Sequence, residues 1–224
     1  MDKQKTIIKA LKDKSSLKLR VFDNTLNTLE QIYQALDEIT SEYNKELKNL
    51  NTNIIIKPKK NSKFDIELRI AEELIIFNMH TNIFQFEREN KIWETDYLKR
   101  DPRKGFSGII NIYNFLFDSF NYKRYDDLGY LIARLYINID SHFLIEGKRQ
   151  SENENKIFSE KKINKEILKS IIETAIIYSL NFDLLTPPYD DMKIATVGQM
   201  HNQFERESIR TGKRLGFTYN LDDI

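Results

Sequence analysis

Glu146 and Lys148 stand two residues apart, directly behind the apolar run Phe143–Ile145. In an extended strand that spacing puts both side chains on one face. An acid and a base so placed, joined by a second carboxylate, can hold a divalent metal and activate water for hydrolysis.

The stretch HFLIEGKRQ is how the third core strand of PD-(D/E)xK metal-dependent nucleases often reads, and that site needs an Asp from the neighbouring strand. Asp126, Asp127 and Asp140 are the upstream candidates. The upstream strand is DLGYLIARLYIN, with Leu131, Ala133, Leu135 and Ile137 as its apolar face. A turn around Asp140 pairs Ile137 with Phe143, Leu135 with Ile145 and Ala133 with Gly147 on the core side. The other side then pairs Asn138 with His142, Tyr136 with Leu144 and Arg134 with Glu146, which gives Glu146 an ordinary ion partner. Asp127 falls roughly 23 Å from that pair and Asp140 roughly 20 Å from Glu146, both too far to share one metal. Glu67 or Asp65 from another strand remain to complete a site, and Gly147 leaves room for close approach of a ligand or a backbone.

Other chemistries are excluded more directly. The chain has no cysteine, which removes thiol nucleophiles, cysteine-ligated zinc, iron–sulfur clusters and disulfides. Its seven glycines form no phosphate-binding pattern, and TGKR at 211–214 lacks the upstream glycine of a P-loop. GFSG at 105–108 lacks the spacing of a nucleophile elbow. His80, His142 and His201 show no metal-ligand spacing, so no metal or cofactor is expected.

The elements that would position these residues are legible from periodicity. Leu26, Leu29, Tyr33, Leu36, Thr40, Tyr43, Leu47 and Leu50 follow alternating spacings of three and four, a heptad seam broken at Thr40, with Asn24 as its expected cap. Ile32 and Ile39 widen the stripe, which suits packing on a sheet as well as a partner helix. From Phe64 the period becomes two. A hairpin turning at Glu72–Glu73 pairs Ile70 with Ile75, Leu68 with Phe77 and Ile66 with Met79, and sets His80 opposite Asp65. Strand pattern continues over 82–87 and 92–93, DPRKG at 101–105 reads as a loop, 108–117 as a strand and 118–127 as a polar connection. A helix is expected over 163–180 with Asn164 as cap, a stop at Pro187–Pro188, and a shorter helix from about Val197 to Arg210. The polar stretch 151–156 reads as a flexible loop. The order implies an α+β fold: an antiparallel β-meander sheet with a long N-terminal helix and C-terminal helices packed on it.

At 224 residues, 40% hydrophobic and 31% charged, the chain suits one soluble domain over 21–224 behind a basic segment, 1–20. That segment carries seven basic residues against Asp2 and Asp13, although the whole chain has a net charge of only +1. Neither a signal-peptide pattern nor an apolar stretch of roughly 20 residues is present, so the expected location is cytoplasmic, with no membrane partner. The leading expectation is a non-enzymatic intracellular protein-interaction or assembly module, engaging a partner or a second copy through Leu26, Leu29, Tyr33, Leu36, Tyr43 and Leu47, or through the sheet's outer face. The alternative is nucleic-acid binding through the basic N-terminus, Lys57, Lys59, Lys60, Lys148, Arg149, Lys213 and Arg214, with Tyr and Phe available for stacking. A nuclease built on Glu146 and Lys148 is the third.

Overall fold

The computed structural model describes residues 2–48, 54, 56–147, 157–158, 161–184, 186, 188–194 and 196–198. The chain begins with helix α1 (Lys3–Ala10), passes through one π-helical turn at Leu11–Ser15, and continues without a break into α2 (Ser16–Leu47). Six strands follow as an antiparallel meander: β1 (Ile56–Lys60), β2 (Asp65–Ile70), β3 (Glu73–Met79), β5 (Phe106–Leu116), β6 (Tyr130–Ile137) and β7 (Phe143–Gly147). The short β4 (Phe84–Gln85) pairs with the first residues of β5, making seven strands. Helix α3 (Asp96–Arg100) lies in the β4–β5 connection, α4 (Phe117–Asn121) follows β5, and α5 (Lys165–Leu180) and α6 (Tyr189–Met192) come after the sheet. This is the α+β arrangement expected from the order of periodicities. The second expected C-terminal helix lies, beyond Gly198, outside the described residues, and α6 was not expected.

One face of the sheet is the main core. Ile66, Leu68, Ile75, Phe77, Ile110, Ile112, Leu135 and Ile145 point into it, and α2 and α5 cover it with Leu29, Ile32, Leu36, Leu168 and Ile172. The stripe on α2 that offered itself to a partner is therefore occupied within the chain. Leu29 and Leu36 are buried, while Leu26, Tyr33, Tyr43 and Leu47 pack half-buried against the same core. Asn164 caps α5 as expected, accepting from Ile167 N at 2.9 Å. Lys165 and Lys169 reach Glu38 across the α2–α5 seam at 2.5 and 3.3 Å. Near the start of β5 the helix comes so close that a Cβ on Gly108 would lie 2.8 Å from Thr25 Cβ, hence a glycine there.

The β6–β7 register is the one derived from the sequence, with Ala133 opposite Gly147, Arg134 opposite Glu146 and Ile137 opposite Phe143. Gly147 makes room for a backbone, since a Cβ there would meet Ile132 O at 2.5 Å. Two local readings need correction. The β2–β3 hairpin turns at Ala71–Glu72, so Ile66 faces Phe77, Leu68 faces Ile75, and Asn78 rather than His80 stands opposite Asp65. Alternation specifies which face is buried, and moving the pairing by one residue on each strand leaves those faces unchanged; the two-residue turn, with Ala71 at φ 50°, selects the register. On β6 a bulge inserts Ile132 opposite the Ile112–Tyr113 step, so Ile132 is buried and Leu131 turns outward, 41% exposed.

Of the stretches expected as strands, 82–87 keeps only the two residues of β4, and 92–93 lies in a short helical turn, Lys91–Glu94. Asn90 accepts from Ile92 N and Asp101 from Arg103 N, bending the chain every few residues so that it lies back on the sheet's second face. There Ile92, Leu98, Tyr136, Leu144 and Phe158 form a smaller core with Phe86, Trp93 and Tyr97 beside it. Asn24 is no cap, because the helix extends upstream past it; its amide donates to Asn138 O and Ile139 O at 3.1 and 2.8 Å.

Asn138, fully buried, holds the β6–β7 turn by accepting from Asp140 N and His142 N at 3.0 Å each and by donating to Tyr97 Oη at 3.0 Å. Replacing it by Ala strands two backbone N–H groups, each costing about 1–3 kcal/mol when buried. Asn138→Ala is therefore expected to lose about 2–4 kcal/mol in urea denaturation, summed over those groups. A loss below about 1 kcal/mol, the scale of one ordinary hydrogen bond, would show that the turn does not depend on this amide.

Candidate functional site

Among the described residues the smaller core covers only part of the sheet's second face, and a polar row crosses that face from strand to strand. Asp65, Asn78, Asn111, Arg134 and Glu146 are successive partners on β2, β3, β5, β6 and β7. Asn78 Nδ2 donates to Asp65 Oδ1 at 2.5 Å and Arg134 Nε to Asn111 Oδ1 at 3.1 Å. Beyond Arg134, Tyr136 Oη donates to Glu146 Oε2 at 2.8 Å and accepts from Arg134 Nη1 at 3.3 Å, while Nη1 stands 3.9 Å from the same Glu146 oxygen.

Burial, reinforced by the hydrogen bond to Glu146, raises the Tyr136 hydroxyl above its ordinary range despite the opposing effect of Arg134, so it stays a donor. The bond to Tyr136, against the effect of burial, raises Arg134 as well and keeps the guanidinium charged. Glu146, Arg134 and Tyr136 meet at one side of a cleft of ≈ 300 Å³ whose other wall is β4, with Phe84 and Phe86. Ser107 also lines it; its side chain is fully buried, and no described group bonds its hydroxyl.

The carboxylates considered as partners of Glu146 are placed elsewhere. Asp65 is four strand spacings away along the row, roughly 19 Å, and Glu67 lies in the next row beyond it. Asp127 is held by Ser119 Oγ at 2.7 Å and Arg124 Nε at 3.0 Å. Asp140 is held by Lys104 Nζ at 2.7 Å and Tyr97 Oη at 2.8 Å. Among the described residues no group of three or more His, Asp or Glu is gathered to hold a metal ion. Lys148, Arg149, Lys213 and Arg214 lie outside the described residues.

Of the remaining basic candidates, Lys57 and Lys59 are exposed on edge strand β1, Lys59 within 3.9 Å of Glu67. Lys60 is engaged within the fold, 2.6 Å from Glu30 and 4.4 Å above the Tyr33 ring. His80 lies past the end of β3, edge-on to Phe84 at 4.7 Å between centroids.

A second exposed feature is the start of the long helix. No residue of Lys3–Ser15 is buried, and burial begins at Leu17 and Val21. Ile7, Ile8 and Leu11 are 59, 47 and 58% exposed, and Leu19 adds 61% further along. The π-helical turn inserts one residue into the ladder, displacing this apolar stripe by about 100° from the packed one. The heptad pattern from residue 26 onward marks the face that is core; the exposed apolar side chains sit upstream, interleaved with lysines.

Compared with family models, curated proteins and solved structures, the chain matches none. No described helix is long and apolar enough to cross a membrane.

Tyr97, Asp140 and Lys104 generate a pH dependence. Burial opposes ionisation of Asp140, but the hydrogen bonds from Lys104 and Tyr97 outweigh it and hold the carboxyl below its ordinary range. Its contribution to stability is complete above the unfolded value of about 3.9 and is lost as pH falls through the lower folded value. Tyr97 is raised, first by burial and then by donating to Asp140, so it supports the fold below pH of about 10 and ceases to at higher pH. Asp140→Asn is expected to flatten the acid limb of a stability-versus-pH curve measured by urea midpoints. An acid limb as steep as that of the unaltered protein would rule the carboxylate out as its source.

Proposed function

We propose that this protein is an interaction module that presents the free N-terminal part of its long helix to a protein partner with an acidic-rimmed apolar groove. The observation that supports this reading is that Lys3–Ser15 buries nothing, although Ile7, Ile8 and Leu11 are apolar and adjacent on the helix. Exposed apolar side chains grouped on one helical face mark binding surfaces, and such a helix seats in a groove through anchors at these spacings. Seven basic residues against two acidic ones over 1–20 favour an acidic partner and oppose side-by-side pairing with a second copy, which would set like charges against each other.

Nucleic acid is the second reading, favoured by the same helix charges and by the exposed Lys57 and Lys59 on β1. The two differ in what they ask of the helix: a groove needs the isoleucines and leucine, whereas a phosphate backbone needs the lysines.

A photo-crosslinking residue at Leu11 would capture the partner in cells, and the captured protein, purified, would then be titrated against the intact chain. Ile7→Asp with Leu11→Asp is expected to weaken that direct binding by at least about tenfold, given about 1.5–3 kcal/mol for each buried side chain, with the thermal midpoint unchanged. Equal binding by the variant would defeat the groove reading. Binding to single-stranded oligonucleotide that is untouched by the double variant but falls steeply with salt would favour the second.

A further inference from the structure

We propose that the cleft between β4 and the floor of β5–β7 is a binding site for a neutral planar heterocycle of purine size, read along a donor-rich edge of the guanine type. The site is separate from the projecting helix and does not rest on the function proposed above.

Its volume, ≈ 300 Å³, is at the lower end of the range for small-ligand sites, about 300–1,000 Å³, so it admits one small ring system. Phe84 and Phe86 supply an aromatic wall, and Phe84 is 38% exposed on a two-residue strand, where a ring can lie against it. Three polar groups converge on the same space with hydrogen-bonding capacity left over. Glu146 uses only Oε2 toward Tyr136 and Arg134, and among the described residues Oε1 has no partner. Arg134 commits Nε to Asn111 and Nη1 to Tyr136, leaving Nη2 with no partner among the described residues. The Ser107 hydroxyl is fully buried with no described partner, and a buried polar group of that kind calls for one.

The unused acceptor and donor select the ligand. Glu146 Oε1 accepts from an N–H edge, and Arg134 Nη2 donates to a ring carbonyl, with Ser107 available to either. Guanine offers adjacent N–H donors and a carbonyl; adenine lacks the carbonyl, and cytosine is a single ring. Charge argues for a base or nucleoside over a nucleotide. Among the described residues that line the cleft, Glu87, Glu146 and Arg134 leave a formal balance of one negative charge, which disfavours a phosphate.

The test titrates guanosine, adenosine, cytidine and guanosine monophosphate into the intact protein, followed by the Ile109 and Phe84 NMR resonances and by calorimetry. Guanosine is expected to shift both resonances saturably and to bind about tenfold more tightly than adenosine, the discrimination expected of one well-placed edge contact. The monophosphate should bind more weakly than guanosine. Glu146→Gln should remove the preference over adenosine, Ser107→Ala should weaken guanosine by about threefold or more, the scale of one hydrogen bond, and Phe84→Ala should weaken both nucleosides. Phe84 and Glu146 are both exposed, so their variants keep the fold, which a thermal melt verifies. The proposal is overturned if no nucleoside gives saturable shifts, if all four bind alike, or if guanosine binding survives Phe84→Ala and Glu146→Gln unchanged.

Discussion

The turn between β6 and β7 carries the hydrogen bonds that join every layer of the molecule. Asn138, with no exposed surface, closes the turn through Asp140 N and His142 N, and its Nδ2 reaches Tyr97 on the second face of the sheet. From the first face Asn24 of α2 donates to the carbonyls of Asn138 and Ile139. The chain entering α5 joins the same place, where Ile163 N donates to Ser141 O. A helix, a strand pair, the covering loop and the segment leading to the last long helix are thus fixed to about four consecutive residues. Buried amides of this kind are costly to leave unpaired, so all these elements are coupled through one site.

That coupling accounts for the two unequal faces of the sheet. α2 and α5 cover the first face, mostly with aliphatic side chains. Among the described residues, the second face is covered where residues 86–105 fold back and Phe158 joins them, held by Tyr97 stacking on His142 at 5.3 Å and by Lys104 above the Tyr97 ring at 4.7 Å. Where that cover ends the polar row from Asp65 to Glu146 is left open, and the edge of the cover makes the cleft beside Arg134, Tyr136 and Glu146. Small-ligand sites commonly arise at such margins, where a rigid floor meets a shorter element.

The long helix shows a similar division along its own length. From Leu17 onward its apolar stripe is spent on the core, and the π-helical turn at Leu11–Ser15 separates that part from one in which no residue is buried. A heptad pattern can serve a partner helix or the chain's own sheet equally well, because both ask for the same stripe of apolar side chains. The choice is made by what else the chain brings to that face: here six strands and α5.

Periodicity alone was enough for the α+β order, the α5 cap at Asn164 and the β6–β7 register, including Arg134 opposite Glu146. Those are local or nearest-neighbour properties, in which each apolar residue's position dictates its partner. It was also enough to show that Asp127 and Asp140 stand too far along the strand from Glu146. What periodicity could not specify is anything in which two patterns are equally good or in which side chains distant in sequence meet. The β2–β3 register, the bulge at Ile132 and the folding-back of residues 86–105 depend on turn geometry and backbone pairing with other strands. Asn24 and Tyr97 reach Asn138 across separations of 114 and 41 residues, and Ser107 joins Arg134 and Glu146 only because β5, β6 and β7 are neighbours in the sheet. The sequence by itself thus determined which faces are apolar and which local pairs form, because those follow from alternation along the chain. The tertiary structure alone decided which apolar face stays free and which polar groups converge, because both depend on contacts between segments that no local pattern encodes.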